Sequence, residues 1–425
     1  MVRNINSLED VVDWGLCVGC GVCYAACDKQ EVTLVNIPSV GIRPKFASSA
    51  CSECNKCLSI CPGYQLDANL ETGSLPKSNE AAHEFGPTLE IWEGHAVDPE
   101  IRFRGSSGGV LSALALFSLE REGMSSVLHT AMSEDEPWKN RTVQSFNRSE
   151  IVSRTGSRYA PASPCEGLGS IESSDGPCVF IGKPCDAAAT SMLRRERPEL
   201  DRKLGLVLTF FCAGTPSTQG TVDLMKHLEV NQDEVSSVHY RGEGWPGNFR
   251  VLQNRESTGK SMTYDESWSR LTGYRPLRCN LCPDGLGRVA DISCGDAWHK
   301  HGDDSDTGRS LVLVRTERGR EILQRAIAAN YVQLTRVDTS AVLAAQPSLL
   351  QRRRELFGRL LAMRLLLIPT PRFANFSLLR SWLRLSMARR TQTVLGTLRR
   401  ALKRGWWRRR GSTLRKPAPQ GSVHV

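Results

Sequence analysis

The chain has 425 residues, of which 40% are hydrophobic and 24% charged, with 15 cysteines and a formal net charge of +10. This composition excludes a collagen-like, a mostly disordered and a multi-span membrane protein, and the length suits two or three domains. No apolar stretch reaches the ~18–20 residues that cross a bilayer, and the N-terminus has no secretory signal, so we expect a cytoplasmic protein. Because thiols stay reduced there, fifteen cysteines favour metal or redox chemistry over disulfides.

The net charge is divided unevenly along the chain. Residues 351–425 carry 19 Lys and Arg against one acid, Glu355, which gives this segment a charge of +18 and leaves −8 for the rest. The sequence therefore predicts a mildly acidic body and a strongly basic tail.

The first element in chain order is a cysteine repeat of the form C-x2-C-x2-C-x3-C. Cysteines at 17, 20, 23 and 27 recur 34 positions later at 51, 54, 57 and 61. The spacing resembles that of bacterial-type ferredoxins, which hold two [4Fe–4S] clusters. The resemblance implies one cluster on Cys17, Cys20, Cys23 and Cys61, and a second on Cys51, Cys54, Cys57 and Cys27.

Three further points bear on this interpretation. Zinc is the alternative because C-x2-C is also a zinc spacing, although zinc needs four ligands and does not explain two duplicated sets. Gly19 and Gly21 are expected to let the backbone turn tightly around the sulfurs. Cys27 is followed by Asp28, where the second copy has proline after Cys61.

Beyond the repeat, strand and helix patterns alternate. They predict a helix at Val110–Glu122, a buried strand at Val179–Gly182, a helix that begins at Pro184 and a strand at Leu204–Cys212. The alternation predicts an α/β fold with a mainly parallel sheet, followed by a strand-rich stretch over residues 235–262. We expect a ferredoxin-type domain (1–66), a linker (67–89), the α/β domain (90–350) and a helical basic tail (351–425).

Four further cysteines lie where this sheet would bind a ligand. Cys185 follows one predicted strand and Cys212 ends the next, so both are expected at the carboxyl edge of a parallel sheet. Cys279 and Cys282 form a C-x2-C pair in a loop. The four thiols can make a third four-thiolate site, for iron–sulfur or for zinc, whereas simple burial is the alternative for Cys185 and Cys212.

Several segments resemble the coenzyme F420 hydrogenase/dehydrogenase beta-subunit family. They run in order through most of residues 90–350: RGSSGGVLSAL (104–114), TGSRYAP (155–161), FIGKPCDAAA (180–189), LTFFCAG (208–214), YRGEGWPG (240–247), RCNLC (278–282), ADISCGDAW (290–298) and GRSLVLVRTERG (308–319).

The resemblance implies a flavoprotein that carries FAD and an additional [4Fe–4S] cluster. It assigns that cluster to Cys185, Cys212, Cys279 and Cys282, with Cys294 as a reserve ligand. Cys165 and Cys178 match no role in it, so we interpret them as buried thiols.

The resemblance also points to residues that bind the flavin. SSGG before a helix exposes backbone amides at a positive helix end, although such a segment alone is more typical of a helix cap. His299 and His301 suggest a metal, but an exposed polar loop is the preferred interpretation. Lys183 is expected to pair with phosphate or to be a solvated surface lysine. The predicted flavin residues are Ser106, Ser107, Gly108, Gly109, Gly156, Ser157, Tyr159 and Lys183.

In the tail, Val394, Leu398, Leu402 and Trp406 recur every four positions between cationic residues. This pattern predicts an amphipathic helix that contacts an anionic membrane, or one that packs on the acidic body. We expect residues 351–390 to pack on the body and keep both alternatives for 391–425. No nucleic-acid-binding fold accompanies the charge, so nucleic acid is not expected as a partner.

Together these features predict an iron–sulfur flavoprotein oxidoreductase. The flavin exchanges a hydride with an organic two-electron carrier, for which the family suggests coenzyme F420, and the clusters exchange single electrons with a redox partner protein or a ferredoxin. The alternatives are a non-catalytic electron-transfer subunit and a ferredoxin-dependent reductase of another organic substrate. The motifs assign no catalytic residue.

Overall fold

The computed structural model describes residues 4–47, 54–70, 82–254, 259–300 and 307–409. The strands are β1 (Val32–Ile37), β2 (Gly41–Phe46), β3 (Gln65–Asp67), β4 (Glu90–Ala96), β5 (Ser126–Met132), β6 (Asn140–Ser145), β7 (Cys178–Gly182), β8 (Leu204–Phe210), β9 (Val235–His239), β10 (Asn248–Gln253), β11 (Lys260–Thr263), β12 (Ile292–Asp296), β13 (Ser310–Val314), β14 (Val332–Arg336) and β15 (Arg372–Ala374).

The helices are α1 (Leu8–Asp13), α2 (Val22–Ala25), α3 (Lys56–Ser59), α4 (Ala82–Phe85), α5 (Pro99–Arg104), α6 (Val110–Arg121), α7 (Arg148–Ser153), α8 (Leu168–Glu172), α9 (Pro184–Arg194), α10 (Pro198–Lys203), α11 (Thr218–His227), α12 (Tyr264–Leu271), α13 (Leu277–Asn280), α14 (Glu317–Ala328), α15 (Thr339–Ala345), α16 (Pro347–Arg354), α17 (Leu356–Leu365), α18 (Leu378–Leu383) and α19 (Met387–Lys403).

An eight-stranded sheet organises the molecule, in the order β14-β4-β13-β12-β8-β7-β5-β6. Its four central strands, β12, β8, β7 and β5, are parallel, with Phe180 of β7 opposite Val207 of β8. The outer pairs on both sides are antiparallel. The predicted α/β class is therefore confirmed, and the parallel pairing lies at the centre of the sheet.

The two faces of the sheet are covered by different parts of the chain. On one face, Val179 and Leu206 pack with side chains of α6 and α14. On the other face, Phe180 belongs to a core that also contains Leu16 and Ile60 from the N-terminal segment. Because neighbouring residues of a strand point to opposite faces, Val179 and Phe180 contribute to these two separate cores.

The basic tail folds back onto the N-terminal segment. Strand β15 pairs in parallel with β3, and Trp406 is buried in the same core as Leu16. Arg409 forms ion pairs with Asp10 and Asp13, each at 2.8 Å. Among the described residues, no helix combines the length and the apolarity needed to cross a membrane.

The buried face of α19 agrees only in part with the predicted apolar stripe, in which Trp406 is buried and Val394 and Leu398 are partly buried. Thr393, Thr397 and Ala401 are buried, whereas Leu402 is 60% exposed. A Cβ on Gly358 of α17 would lie 3.2 Å from Thr393, so the two helices approach through small side chains. Close helix contact thus buries Thr393 and Thr397 more fully than the larger Leu402.

Candidate functional site

A cavity of about 270 Å³, the edge cavity, opens at the carboxyl edge of the parallel strands. The ends of all four parallel strands line it, through Thr130, Ile181, Phe210 and Gly295 among others. This is the edge at which open α/β sheets bind ligands. Phe210 lines the cavity and is 41% exposed, so its ring offers an apolar surface there.

The SSGG segment forms the cavity wall where α6 begins. Gly109 is in the left-handed region at φ 74°, and no side chain caps the helix. A Cβ on Gly109 would lie 2.8 Å from the carbonyl oxygen of Ile101, so the turn requires glycine. The helix-cap alternative therefore does not describe this segment, and the N-terminal end of α6 faces the cavity.

The structure brings seven of the eight predicted flavin residues to the edge cavity. The Ser157 amide donates to Ser106 Oγ at 2.6 Å, which joins the two predicted motifs. Gly108 does not line the cavity. Its amide is buried and donates to Ser310 Oγ at 3.0 Å. The seven that line the cavity are Ser106, Ser107, Gly109, Gly156, Ser157, Tyr159 and Lys183.

Lys183 is buried rather than solvated, which contradicts the surface-lysine alternative. Its ammonium group lies 2.7 Å from Asp186 and donates to the carbonyl oxygen of Ala162. Burial opposes its charge, but the negative charges of Asp186 and Cys185 outweigh that effect and raise the pKa of Lys183. A fixed cation therefore stands in the cavity wall.

A second, smaller cavity adjoins the first; we call it the thiol cavity, and its volume is about 40 Å³. Four cysteines line it, and we call them the cavity group: Cys185, Cys212, Cys279 and Cys282. Burial raises the pKa of the Cys212 thiol to about 12, helped by negative charge on its cysteine neighbours. A metal ion that binds such thiols displaces their protons.

The charges around the thiol cavity suit an anionic four-thiolate centre. Four cations line it, Lys183, Arg278, Arg288 and Arg352, against two acids, Asp67 and Asp284. In the described part of the chain, no three His, Cys, Asp or Glu side chains converge closely enough for one metal ion. The excess of positive charge suits either of the two centres expected on four thiolates, zinc or an iron–sulfur cluster.

The reserve ligand Cys294 lies elsewhere. Its side chain lines the edge cavity and is absent from the lining of the thiol cavity. Burial alone raises the pKa of its thiol to about 12. Cys178 is also buried, within β7, and its thiol donates to Ser174 Oγ at 3.3 Å.

The first of the two predicted ligand sets lies in the core. It consists of Cys17, Cys20, Cys23 and Cys61, and we call it the inner group. All four are at most 8% exposed. Burial raises the pKa of the Cys23 thiol, and negative charge on the other three cysteines of the group raises it further. Gly19 and Gly21 have φ values of 70° and 87°, which confirms the tight turns expected of them.

A loop of the α/β domain clamps the inner group. Ser163 Oγ donates to the carbonyl oxygen of Gly19 at 2.8 Å, and the Cys165 amide donates to that of Cys20 at 3.1 Å. A hydrogen bond between the side chains of Cys20 and Cys165 is the largest cause of the raised pKa of Cys20. Cys165 is therefore a buried thiol, as predicted, with a contact that sequence spacing does not reveal.

The second set is nearer to solvent; we call Cys27, Cys51, Cys54 and Cys57 the outer group. Cys54 is exposed, Cys27 and Cys57 are partly buried, and Cys51 lies outside the described residues. The Cys57 thiol lies 3.7 Å from the carbonyl oxygen of Cys23, so the outer group borders the inner group. Asp28, which stands where the second copy of the repeat has proline, pairs with Lys56 and with Arg197.

Sequence reasoning missed a polar and aromatic cluster at the edge cavity. Arg241 makes a two-point ion pair with Asp296, at 2.9 and 2.8 Å, and stacks on Tyr264 at 4.7 Å. Trp298 stacks on Tyr264 with ring centroids 5.5 Å apart. Arg241 and Asp296 lie in two of the motifs quoted above, but only folding brings them together across 55 positions.

Of the two histidines that suggested a metal, His299 lies 3.2 Å from Glu93, and His301 is outside the described residues.

Comparisons with known proteins give a family match and a similar fold. The chain matches the family described as "Coenzyme F420 hydrogenase/dehydrogenase, beta subunit", with residues 91–168 on its N-terminal part and residues 177–340 on its C-terminal part. The two matches cover more than half of the chain. One chain of the F420-reducing [NiFe] hydrogenase complex from Methanosarcina barkeri has a similar fold, with a TM-score of 0.50, 21% identity, and coverage of 64% of this chain and 92% of that one.

Similar proteins carry related names. The F420-dependent formate dehydrogenase subunit beta of Methanocaldococcus jannaschii is 25% identical over 58% of this chain, which spans only 62% of that relative. The coenzyme F420 hydrogenase subunit beta of Methanosarcina barkeri is 26% identical over 57% of this chain and 80% of its own length. A subunit of the F420H2 dehydrogenase of Methanosarcina mazei is 20% identical over 84% of this chain and 91% of its own length. The chain belongs to the coenzyme F420 hydrogenase/dehydrogenase beta-subunit family.

Proposed function

We propose that the chain is an iron–sulfur flavoprotein oxidoreductase subunit that passes electrons between reduced coenzyme F420 and a redox partner protein. FAD would lie in the edge cavity, where it would convert two-electron into one-electron chemistry. Three [4Fe–4S] clusters would be held by the cavity, inner and outer groups, and would carry single electrons.

One observation carries this proposal: the edge cavity and the thiol cavity share a wall. Lys183, Cys212, Gly214 and Thr215 line both. A flavin ring in the first cavity would therefore lie next to a four-thiolate centre in the second. A ligand site and a thiol site in direct contact are what electron exchange between them requires.

The three cysteine groups also run from the interior to the surface. Val18, next to Cys17 of the inner group, lines the thiol cavity, and Cys57 of the outer group contacts the backbone of Cys23. Exposed Cys54 marks the surface end. This order supports a partner that docks near the outer group and an organic carrier that enters at the edge cavity.

The proposed reaction is balanced in electrons and protons. The reduced carrier gives up two electrons and two protons, the protons pass to solvent, and the two electrons leave one at a time to the partner. The reverse direction uses the same groups. Lys183 would hold positive charge beside the cofactors, and Arg241 with Asp296 would shape the far wall of the edge cavity.

Cofactor analysis and reduction of the anaerobically purified chain test the proposal. We expect about twelve irons and one FAD per chain, and reduction of the flavin by F420H2 but not by NADH or NADPH. Iron without flavin would instead support the electron-transfer subunit that lacks catalysis. A flavin that only a reduced ferredoxin reduces would support the reductase of another substrate, and zinc without iron would contradict all three.

A contact with an anionic membrane is a separate proposal for the tail. Leu395 and Leu402 are 59% and 60% exposed on α19, beside the cationic Arg399 and Lys403. An apolar and cationic face of this kind suits peripheral binding. Sedimentation with anionic vesicles should be lost in a Leu395→Glu/Leu402→Glu variant; equal binding by variant and wild type would contradict the proposal.

A further inference from the structure

We propose that Arg278 is a positioning residue that locks the inner group against the cavity group and so fixes the spacing across which electrons pass between them. The inference rests on the proposed function, because it assumes that both groups hold clusters. Arg278 is a residue of α13 and directly precedes Cys279 of the cavity group.

The guanidinium group of Arg278 joins two distant parts of the chain. Its Nη2 donates to the carbonyl oxygen of Pro62 at 2.7 Å, and its Nε donates to that of Gly63 at 2.9 Å. Pro62 directly follows Cys61 of the inner group. Nη1 donates to the carbonyl oxygen of Leu281 at 3.0 Å, within the C-x2-C loop of the cavity group. One planar group therefore bridges 216 positions between two sets of thiols.

Burial makes this bridge rigid. Arg278 is 2% exposed and lines the thiol cavity. Its three hydrogen bonds go to backbone carbonyl oxygens, and losing any one would leave a buried acceptor without a partner. The contact therefore constrains the backbone next to Cys61 as well as the loop of Cys279 and Cys282.

The tail supplies a third support. The guanidinium of Arg278 stacks on the ring of Phe373 at 5.0 Å. Phe373 lies in β15, where it pairs with Leu66 of β3. The N-terminal segment, the α/β domain and the basic tail thus meet at one side chain.

Arginine suits this position for a geometric reason. Its planar fork presents several donors in fixed directions, so it can hold two successive carbonyl groups and a third one at once. The lysine ammonium is a single point charge on a flexible stem. An Arg278→Lys variant therefore keeps the charge but loses the fixed bridge.

The test compares this variant with a matched control in the full-length, cluster-loaded chain. Arg315→Lys changes another fully buried arginine, which donates to the carbonyl oxygens of Pro87 and Leu286. Iron and flavin are counted first. Two readouts follow: the magnetic interaction between clusters in the EPR spectrum of the reduced protein, and the rate at which iron–sulfur signals appear after the flavin is reduced.

We expect Arg278→Lys to weaken the magnetic interaction and to slow that rate several-fold at unchanged iron content, while Arg315→Lys matches wild type in both readouts. Phe373→Leu, which removes the stack and keeps the donors, should shift both readouts in the same direction by less. If Arg278→Lys does not fold, the same two readouts in Phe373→Leu test the inference. Wild-type values of both in Phe373→Leu would then overturn it.

Full cofactor content with wild-type readouts in Arg278→Lys overturns this inference and leaves the proposed function intact. Wild-type protein that binds neither iron nor flavin overturns both. The two failures are therefore distinguishable by the cofactor count.

Discussion

The inner and outer groups share one cysteine spacing and have opposite environments. The inner group is built into the core, where a loop of the α/β domain clamps it through Ser163 and Cys165. The outer group borders solvent, and its neighbouring charges, Asp28 and Lys56, form an exposed ion pair. One repeat in the sequence has thus given one interior and one more exposed group of cysteines, which is the arrangement that the proposed transfer between a partner protein and the cavities needs.

The largest contrast is expected when one ligand of each group is removed. Cys20→Ser should lower both iron content and thermal stability, because Cys20 is part of the core and contacts Cys165. Cys54→Ser should lose about four irons with little change in stability, because Cys54 is exposed. Iron analysis and thermal unfolding measure the difference; equal loss of stability in both variants would contradict the comparison.

The buried pair of Lys183 and Asp186 in the cavity wall gives a second contrast with the exposed pair of Asp28 and Lys56 beside the outer group. Asp186→Asn leaves the Lys183 cation buried without its counter-charge, 2.7 Å away in the wild type. We expect the free energy of unfolding to fall by about 3–5 kcal/mol. Denaturant titration measures the loss, and a decrease below about 1 kcal/mol, the range of exposed pairs, would contradict the account.

Access to solvent should set the order in which iron is lost. A chelator added to the oxidised protein should first remove about four irons, those of the outer group. The inner group should follow more slowly because its thiols are at most 8% exposed, and the cavity group because its thiols line the thiol cavity. Timed iron release with EPR identifies the phases; release in a single phase would argue against separate environments.

The smallest effect is expected at the surface of the outer group. Asp28→Asn removes the pairs with Lys56 and Arg197, but Asp28 is exposed, so the pairs contribute little to stability. The pairing with Lys56 lowers the pKa of Asp28, so both pairs are present at neutral pH. The denaturation midpoint should stay within error of wild type, and a loss comparable with that of Asp186→Asn would overturn the contrast.

Local patterns predicted the elements and the position of the site. The helix at Val110 and the strand before Lys183 follow from periodicity, and Cys185 and Cys212 were expected at the sheet edge because of strand direction. The structure places both in the thiol cavity.

Long-range packing accounts for what the patterns missed. Lys183, Arg278 and Cys165 each contact a part of the chain that is distant in sequence, Ala162, Pro62 and Cys20 respectively. The tail shows the same limit: close approach of α17 and α19 buried Thr393 and left Leu402 exposed. Side-chain spacing within one helix does not contain this information.

The most direct test mixes the cofactor-loaded chain with F420H2 without oxygen and freezes samples at successive times for absorbance and EPR. The account predicts that the flavin is reduced first and that iron–sulfur signals then appear in the same molecules, up to two electrons per carrier oxidised. A flavin that becomes fully reduced while every cluster stays oxidised would contradict the claim that the two adjoining cavities exchange electrons.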